Sequence, residues 1–245
     1  MKRIVIIGAS SGLGERIALD FAAAGWTVGI AARRLDKLQN IAAKYPDCIV
    51  YETMDVTSAE SVAALQKLID RCRGMDILLY AAGTGWHNPA LDPVKELQTV
   101  AVNVDGFTRL ITAAFAYFEK QGTGRIAALT SVAGTKGLGI AAAYSASKRY
   151  QWNYLQAIDQ LARARKLDIH ITEIRPGFMN TALLADDPGK NRLPMVMDVD
   201  YAARRIERAI MQGRRTAVID WRWRALCALW RRVPNLLWRH LRPMF

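Results

Sequence analysis

Cysteine is scarce in this chain of 245 residues, and the three present, Cys48, Cys72 and Cys227, have no Cys-x-x-Cys spacing. That excludes a disulfide framework and a thiolate zinc site, and it suits a reducing compartment. Histidine is as scarce: His87, His170 and His240 lie far apart, so no metal site is expected. Acid is short as well, with 22 Asp and Glu against 34 Lys and Arg, a formal net charge of +12. No apolar run approaches the ~20 residues that a membrane-spanning helix needs. The N-terminal run is too short for a signal peptide. No repeat, low-complexity stretch or linker interrupts the chain before residue 220. What remains is the composition of a packed globule, 51% hydrophobic and 23% charged. A cytoplasmic protein is expected, large enough to bury roughly 70–75% of its unfolded surface.

Apolar runs alternate with helical stretches, the pattern of an α/β fold with a doubly wound parallel sheet. The seven expected strands are 2–7, 27–31, 48–52, 76–80, 125–130, 169–174 and 216–220. Helices are expected near 12–24, 35–45, 58–72, 94–120, 143–166 and 199–212. Leu65, Leu68, Ile69 and Cys72 fall at helical spacing, which marks a covering helix. The chain divides into an α/β domain, 1–220, and a basic C-terminal tail, 221–245.

The first strand, Ile4-Val5-Ile6-Ile7, runs into Gly8-Ala9-Ser10-Ser11-Gly12-Leu13-Gly14 and then a helix. Glycines let the backbone approach a pyrophosphate, while free N–H groups and the helix dipole favour its charge. The spacing is Gly-x-x-x-Gly-x-Gly rather than the common Gly-x-Gly-x-x-Gly. Further on stands Tyr144-Ser145-Ala146-Ser147-Lys148, with Ser131 thirteen residues before the tyrosine. Residues four apart share a helix face, so Tyr144 and Lys148 are expected to bring their heads together. A free phenol titrates near ~10, and a nearby ammonium would draw that value toward working pH. A fall of roughly 3 units corresponds to about 4 kcal/mol.

Gly8, Gly12, Gly14, Ser131, Tyr144 and Lys148 together resemble the short-chain dehydrogenase/reductase family, over about residues 2–220. The resemblance implies a Rossmann-type domain that moves hydride between a nicotinamide and a carbonyl or secondary alcohol. It implies Tyr144 as proton donor, Ser131 as the hydroxyl that binds the same substrate oxygen, and Lys148 as partner of the phenol and of the nicotinamide ribose. Asn103, in Val102-Asn103-Val104, matches the helix asparagine that holds a water in the proton relay. Asp55-Val56 matches the adenine contact. Pro176-Gly177 with Thr181 matches the segment flanking the nicotinamide. The family's Asn-Asn-Ala-Gly appears here as Tyr80-Ala81-Ala82-Gly83, and its threonine before the first glycine as Ile7. Both changes put hydrogen bonding beside the cofactor in question, Ala82 and Gly83 included. Members commonly pair through the helices near 94–120 and 143–166, so a homo-dimer or tetramer is expected.

Ala32 stands where an NAD enzyme wants an acid for the ribose 2′-hydroxyl, and Arg33-Arg34 follow it. Arg33 offers a planar fork for a 2′-phosphate, with Ser10 adding a hydroxyl, so NADP (NADPH) is the expected cofactor. The alternative is that both arginines are solvated charges at a helix start. The substrate pocket is expected from 83–86, 132–140 and 178–197, and Trp86, Leu138, Phe178, Met179, Leu183 and Leu184 make it apolar. A hydrophobic ketone or 3-oxoacyl-type substrate follows, with 185–199 as a lid. Simple packing is the other reading of those residues.

The tail holds six arginines and no acid, half of the net charge, and Trp221, Trp223, Trp230 and Trp238. Trp223, Leu226, Cys227, Trp230 and Val233 make one helical stripe. Three partners fit: an anionic membrane surface, with the protein peripheral to it; the enzyme's own body or a second subunit; or, less readily, nucleic acid. A non-catalytic NADP(H)-binding regulator that docks a partner through this tail is the alternative to an enzyme.

Overall fold

The computed structural model describes residues 2–179 and 195–241. Seven parallel strands lie in the order β3-β2-β1-β4-β5-β6-β7. They are β1 (Arg3–Ile7), β2 (Thr27–Ala32), β3 (Ile49–Thr53), β4 (Ile77–Tyr80), β5 (Thr123–Leu129), β6 (Asp168–Arg175) and β7 (Thr216–Val218). Helices α1 (Gly12–Ala23), α2 (Leu35–Ala42), α3 (Ser61–Arg71), α4 (Pro93–Val100), α5 (Phe107–Gln121), α6 (Ala142–Ala164) and α7 (Val199–Met211) connect them. Two more, α8 (Trp221–Arg232) and α9 (Asn235–Trp238), follow the last strand.

Strand β1 shows why the sheet is covered on both faces. Ile4 and Ile6 belong to one apolar cluster and Val5 and Ile7 to the other, and all four are fully buried. Side chains alternate across a strand, so an unbroken apolar run requires a core on each side. One core lies under α1, α2, α7 and α8, through Ile17, Leu38, Ile206 and Trp223. The other lies under α3, α5 and α6, through Leu68, Phe107 and Leu155. From β1 the chain builds outward on one side and restarts at β4 on the other. This topological switch opens a crevice beyond the C-terminal ends of β1 and β4.

Two elements differ from the expected ones. The helix expected over 94–120 is interrupted by a wide π turn, Ala101–Gly106, between α4 and α5. The strand expected over 216–220 stops at Val218, because Asp220 takes a left-handed φ of 73° and its carboxylate caps α8 by accepting from Arg222 N at 2.9 Å.

The tryptophan stripe of the tail faces the protein's own body. Trp223, Cys227 and Trp230 are buried, and Trp223 packs edge-on against Phe178, centroids 5.3 Å apart. A Cβ on Gly177 would lie 2.1 Å from Trp223 Nε1, so only glycine admits this contact. The tail also clasps the loop after β5. Lys136 Nζ donates to Val233 O at 2.9 Å, and Trp238 Nε1 donates to Gly137 O at 2.8 Å. Among the described residues, no helix is long and apolar enough to cross a membrane.

Candidate active site

The turn after β1 is packed to backbone contact. Gly8 has a left-handed φ of 91°, and a Cβ there would lie 2.4 Å from Ala82 N. A Cβ on Gly14 would lie 2.3 Å from Gly8 O. Ser11 is the N-cap of α1 yet its side chain caps no N–H; its hydroxyl instead accepts from Arg34 Nη2 at 3.0 Å. The first N–H groups of α1 are left for an anion, beside a cradle that side chains would fill. Leu13 is buried in the core and anchors the turn from below.

Arg34, rather than Arg33, reaches across this turn. Its Nη2 also donates to Ser10 Oγ at 2.8 Å. A surface hollow of ≈340 Å³ beside it is lined by Ser10, Ser11, Arg34, Lys37 and Lys44 among others. Arg33 is exposed, and its charge acts on Asp55. The Asp55 carboxyl is held below its ordinary range, first by hydrogen bonds from Thr57 N and Oγ1 at 2.9 and 2.7 Å, then by the charge of Arg33. Val56 is buried beside it and accepts the close approach of Gly106 at the π turn.

On the other side of the crevice, α6 brings Tyr144 and Lys148 to one face, with Lys148 Nζ 5.7 Å from the phenol ring centroid. Gly134 lets the turn after β5 meet α6: a Cβ there would lie 2.9 Å from Lys148 C. The Ser131 hydroxyl, whose oxygen accepts from Ala133 N at 3.1 Å, stands close enough to the Tyr144 phenol to act on its titration. Val132 N donates to Pro176 O at 3.1 Å, tying Ser131 to Pro176-Gly177 at the end of β6. Thr181, Leu183, Leu184 and most of the expected lid lie outside the described residues.

Asn103, the helix asparagine, grips the loop after β4. Its Oδ1 accepts from Thr84 N at 2.9 Å, and its Nδ2 donates to Thr84 O at 2.7 Å. The 82–85 loop is therefore held from the π turn, a kind of irregularity that collects at functional sites. Gly83 lies over the amine, since a Cβ there would sit 3.2 Å from Lys148 Nζ. Gly85 lies on the phenol ring, with 2.3 Å from such a Cβ to Tyr144 Cδ2. Ile7, in place of threonine, is core. Sequence reading placed Gly85 and Gly134 only in the pocket-lining stretches 83–86 and 132–140 and missed their contacts with Tyr144 and Lys148. Their signal, a glycine at a crossing of two elements, exists only in three dimensions.

The electrostatics correct one expectation. Burial pushes the Tyr144 phenol above its ordinary value, with the Ser131 hydrogen bond acting the other way. Burial also draws Lys148 down to about 8. Desolvation disfavours whichever form is charged, so it raises an acid and lowers an amine. The ammonium does not outweigh it in this geometry.

A family profile described as short chain dehydrogenase matches residues 2–191. An uncharacterised oxidoreductase of Mycobacterium tuberculosis is 32% identical, over 96% of this chain and 95% of its own. One of Myxococcus xanthus is 27% identical, over 95% and 93%. The short-chain dehydrogenase from Sphingobium yanoikuyae in complex with NADPH superposes with a TM-score of 0.80, at 22% identity over 99% of this chain and 97% of that one. The 3-ketoacyl-(acyl-carrier-protein) reductase from Brucella melitensis complexed with NADH gives 0.78, at 24% identity over 89% and 94%.

Proposed function

The chain belongs to the short-chain dehydrogenase family of oxidoreductases, and from there we propose that it is an NADPH-dependent reductase of hydrophobic ketones or 3-oxoacyl compounds. The observation that carries this reading is the gathering of Ser131, Tyr144 and Lys148 on one wall of a crevice whose other wall is an uncapped helix N-terminus at a glycine turn. When bound, the nicotinamide supplies the hydride. Tyr144 gives its proton to the carbonyl oxygen, and Ser131 donates a hydrogen bond to the same oxygen as charge develops there. Lys148 commits two of its three donors to Leu129 O at 3.2 Å and Gln151 Oε1 at 3.1 Å, which leaves the third for a ribose hydroxyl. Asn103 fixes the loop over that amine. Arg34, with Ser10 and Lys37 near it, is the group for a 2′-phosphate, and Ala32 offers no acid to repel it.

Leu138 and Trp86 are partly exposed beside the crevice and suit an apolar substrate, whereas Phe178 is engaged with Trp223. NADPH consumption against ketones graded by chain length tests the proposal. Rates that rise with chain length support it, and no turnover with any ketone refutes it. Pairing of subunits through α5 and α6 fits a shallow hollow of ≈450 Å³ on α6, lined by Ala146, Tyr150, Asn153 and Tyr154 among others. The outer face of the tail exposes Leu229, Leu236 and Leu237 beside Arg224, Arg232 and Arg239, and supports peripheral contact with an anionic membrane from the cytoplasmic side. Co-sedimentation with phosphatidylserine vesicles that is lost on Leu236→Glu/Leu237→Glu is the expected result.

A further inference from the structure

Between Lys148 and the π turn lies a polar side chain to which no role has so far been given beyond accepting one hydrogen bond. Gln151 follows Lys148 by one turn of α6 and has no solvent exposure. The next positions along the same side of the helix, Leu155 and Ile158, are apolar and serve the core. A buried amide in their company is costly unless both its ends are matched. Here both are: Oε1 accepts from Lys148 Nζ at 3.1 Å, and Nε2 donates to the backbone oxygen of Asn103 at 2.8 Å. Only one orientation of the amide satisfies these neighbours. An ammonium only donates and a carbonyl oxygen only accepts, so a reversed amide would face donor with donor and acceptor with acceptor.

We propose that Gln151 is a positioning residue for the proton-transfer pair: its amide fixes the Lys148 ammonium between α6 and the Asn103 turn. The inference rests on the reductase reading above and assigns the task of keeping the buried amine charged and in place. Leu129 O is the only other acceptor that Lys148 meets among the described residues. Burial already draws that amine down to about 8, so loss of one of two acceptors favours its neutral form and weakens its hold on the phenolate. Charged groups on the elements packed around α6 have partners other than Lys148. Glu96 of α4 accepts from Ala143 N at 2.8 Å, Asp105 of the π turn pairs with Arg109, and Glu173 and Arg175 of β6 pair with each other. Lys136, beyond the turn after β5, is bound to the tail.

The test compares wild type with Gln151→Met, which keeps the volume and removes both hydrogen-bonding ends, and with Gln151→Glu, which keeps an acceptor toward Lys148. The first readout needs no cofactor. The Lys148 amine of the full-length protein is titrated with pH by carbon NMR of labelled lysine, with Lys148→Met identifying its resonance. Gln151→Met is expected to lower that midpoint by about half a unit or more. It is also expected to lower kcat about tenfold, with KM and NADPH affinity little changed. Gln151→Glu, whose carboxylate faces the amine, is expected to raise the amine midpoint above that of Gln151→Met. A Gln151→Met protein with wild-type melting temperature, amine midpoint and kcat would overturn the proposal. So would a Gln151→Glu protein with an amine midpoint no higher than that of Gln151→Met. If wild type oxidises no NADPH with any ketone, the reductase reading fails, while the amine titration still decides whether Gln151 governs Lys148.

Discussion

Lys148 illustrates how much a single residue's behaviour depends on its surroundings. The Tyr-x-x-x-Lys spacing places the amine on the same helix face as the phenol, and the structure holds both there. The spacing says nothing of burial, and burial reverses the expected direction of the Tyr144 shift. It also yields a pH prediction. With Lys148 drawn down to about 8, reduction should be level below that pH, where the ammonium and phenol both keep their protons, and should fall above it. Initial rates between pH 6 and 10 check this, and a rate that climbs through that range would contradict it. Arg34 makes the second residue-scale point. Sequence order favoured Arg33 as the 2′-phosphate ligand, whereas Arg34 is the arginine whose guanidinium lies over Ser10 and Ser11. Arg34→Ala should therefore cost about 1.5–3 kcal/mol in NADPH affinity and nothing comparable in NADH affinity. Fluorescence titration with each cofactor measures the difference. An equal loss for both would remove the discriminating role.

Strands were the elements most legible in the sequence, because a parallel sheet covered on both faces demands apolar runs, and β1 carries one through Ile4, Val5, Ile6 and Ile7. The π turn at Asn103 was not legible, since a helix that widens by one residue keeps a helical apolar pattern on both sides. The tail was half legible. Its periodicity gave the stripe of Trp223, Cys227 and Trp230, but amphipathicity shows only that a face must be covered and not by what. The covering surface proves to include Gly177, so α8 supports the wall of the candidate site. Trp223→Ala should cost about 3–5 kcal/mol, and at this chain length lower Tm by about 10 °C. Thermal unfolding followed by circular dichroism checks it. A Tm within a degree or two of wild type would mean that the stripe is not the tail's anchor.

At the scale of the whole molecule, the strand order alone locates the crevice, and the chain's own residues fill its two walls in complementary ways. The glycine turn after β1 and the uncapped N-terminus of α1 suit a pyrophosphate, while α6 and the turn after β5 present Tyr144 and Ser131, the proposed proton donor and its hydroxyl partner. The candidate site was readable from spacing wherever residues lie near one another along the chain, as in 8–14 and 144–148. It was not readable where distant elements cross, as at Gln151, which joins Lys148 to the π turn. The account stands on Tyr144 as the acid in hydride transfer, and its most direct measurement is the NADPH oxidation rate of Tyr144→Phe beside that of wild type on a ketone the latter reduces. The account predicts a fall in kcat of roughly 100- to 10,000-fold with NADPH binding nearly intact. Retention of most of the wild-type rate would contradict it.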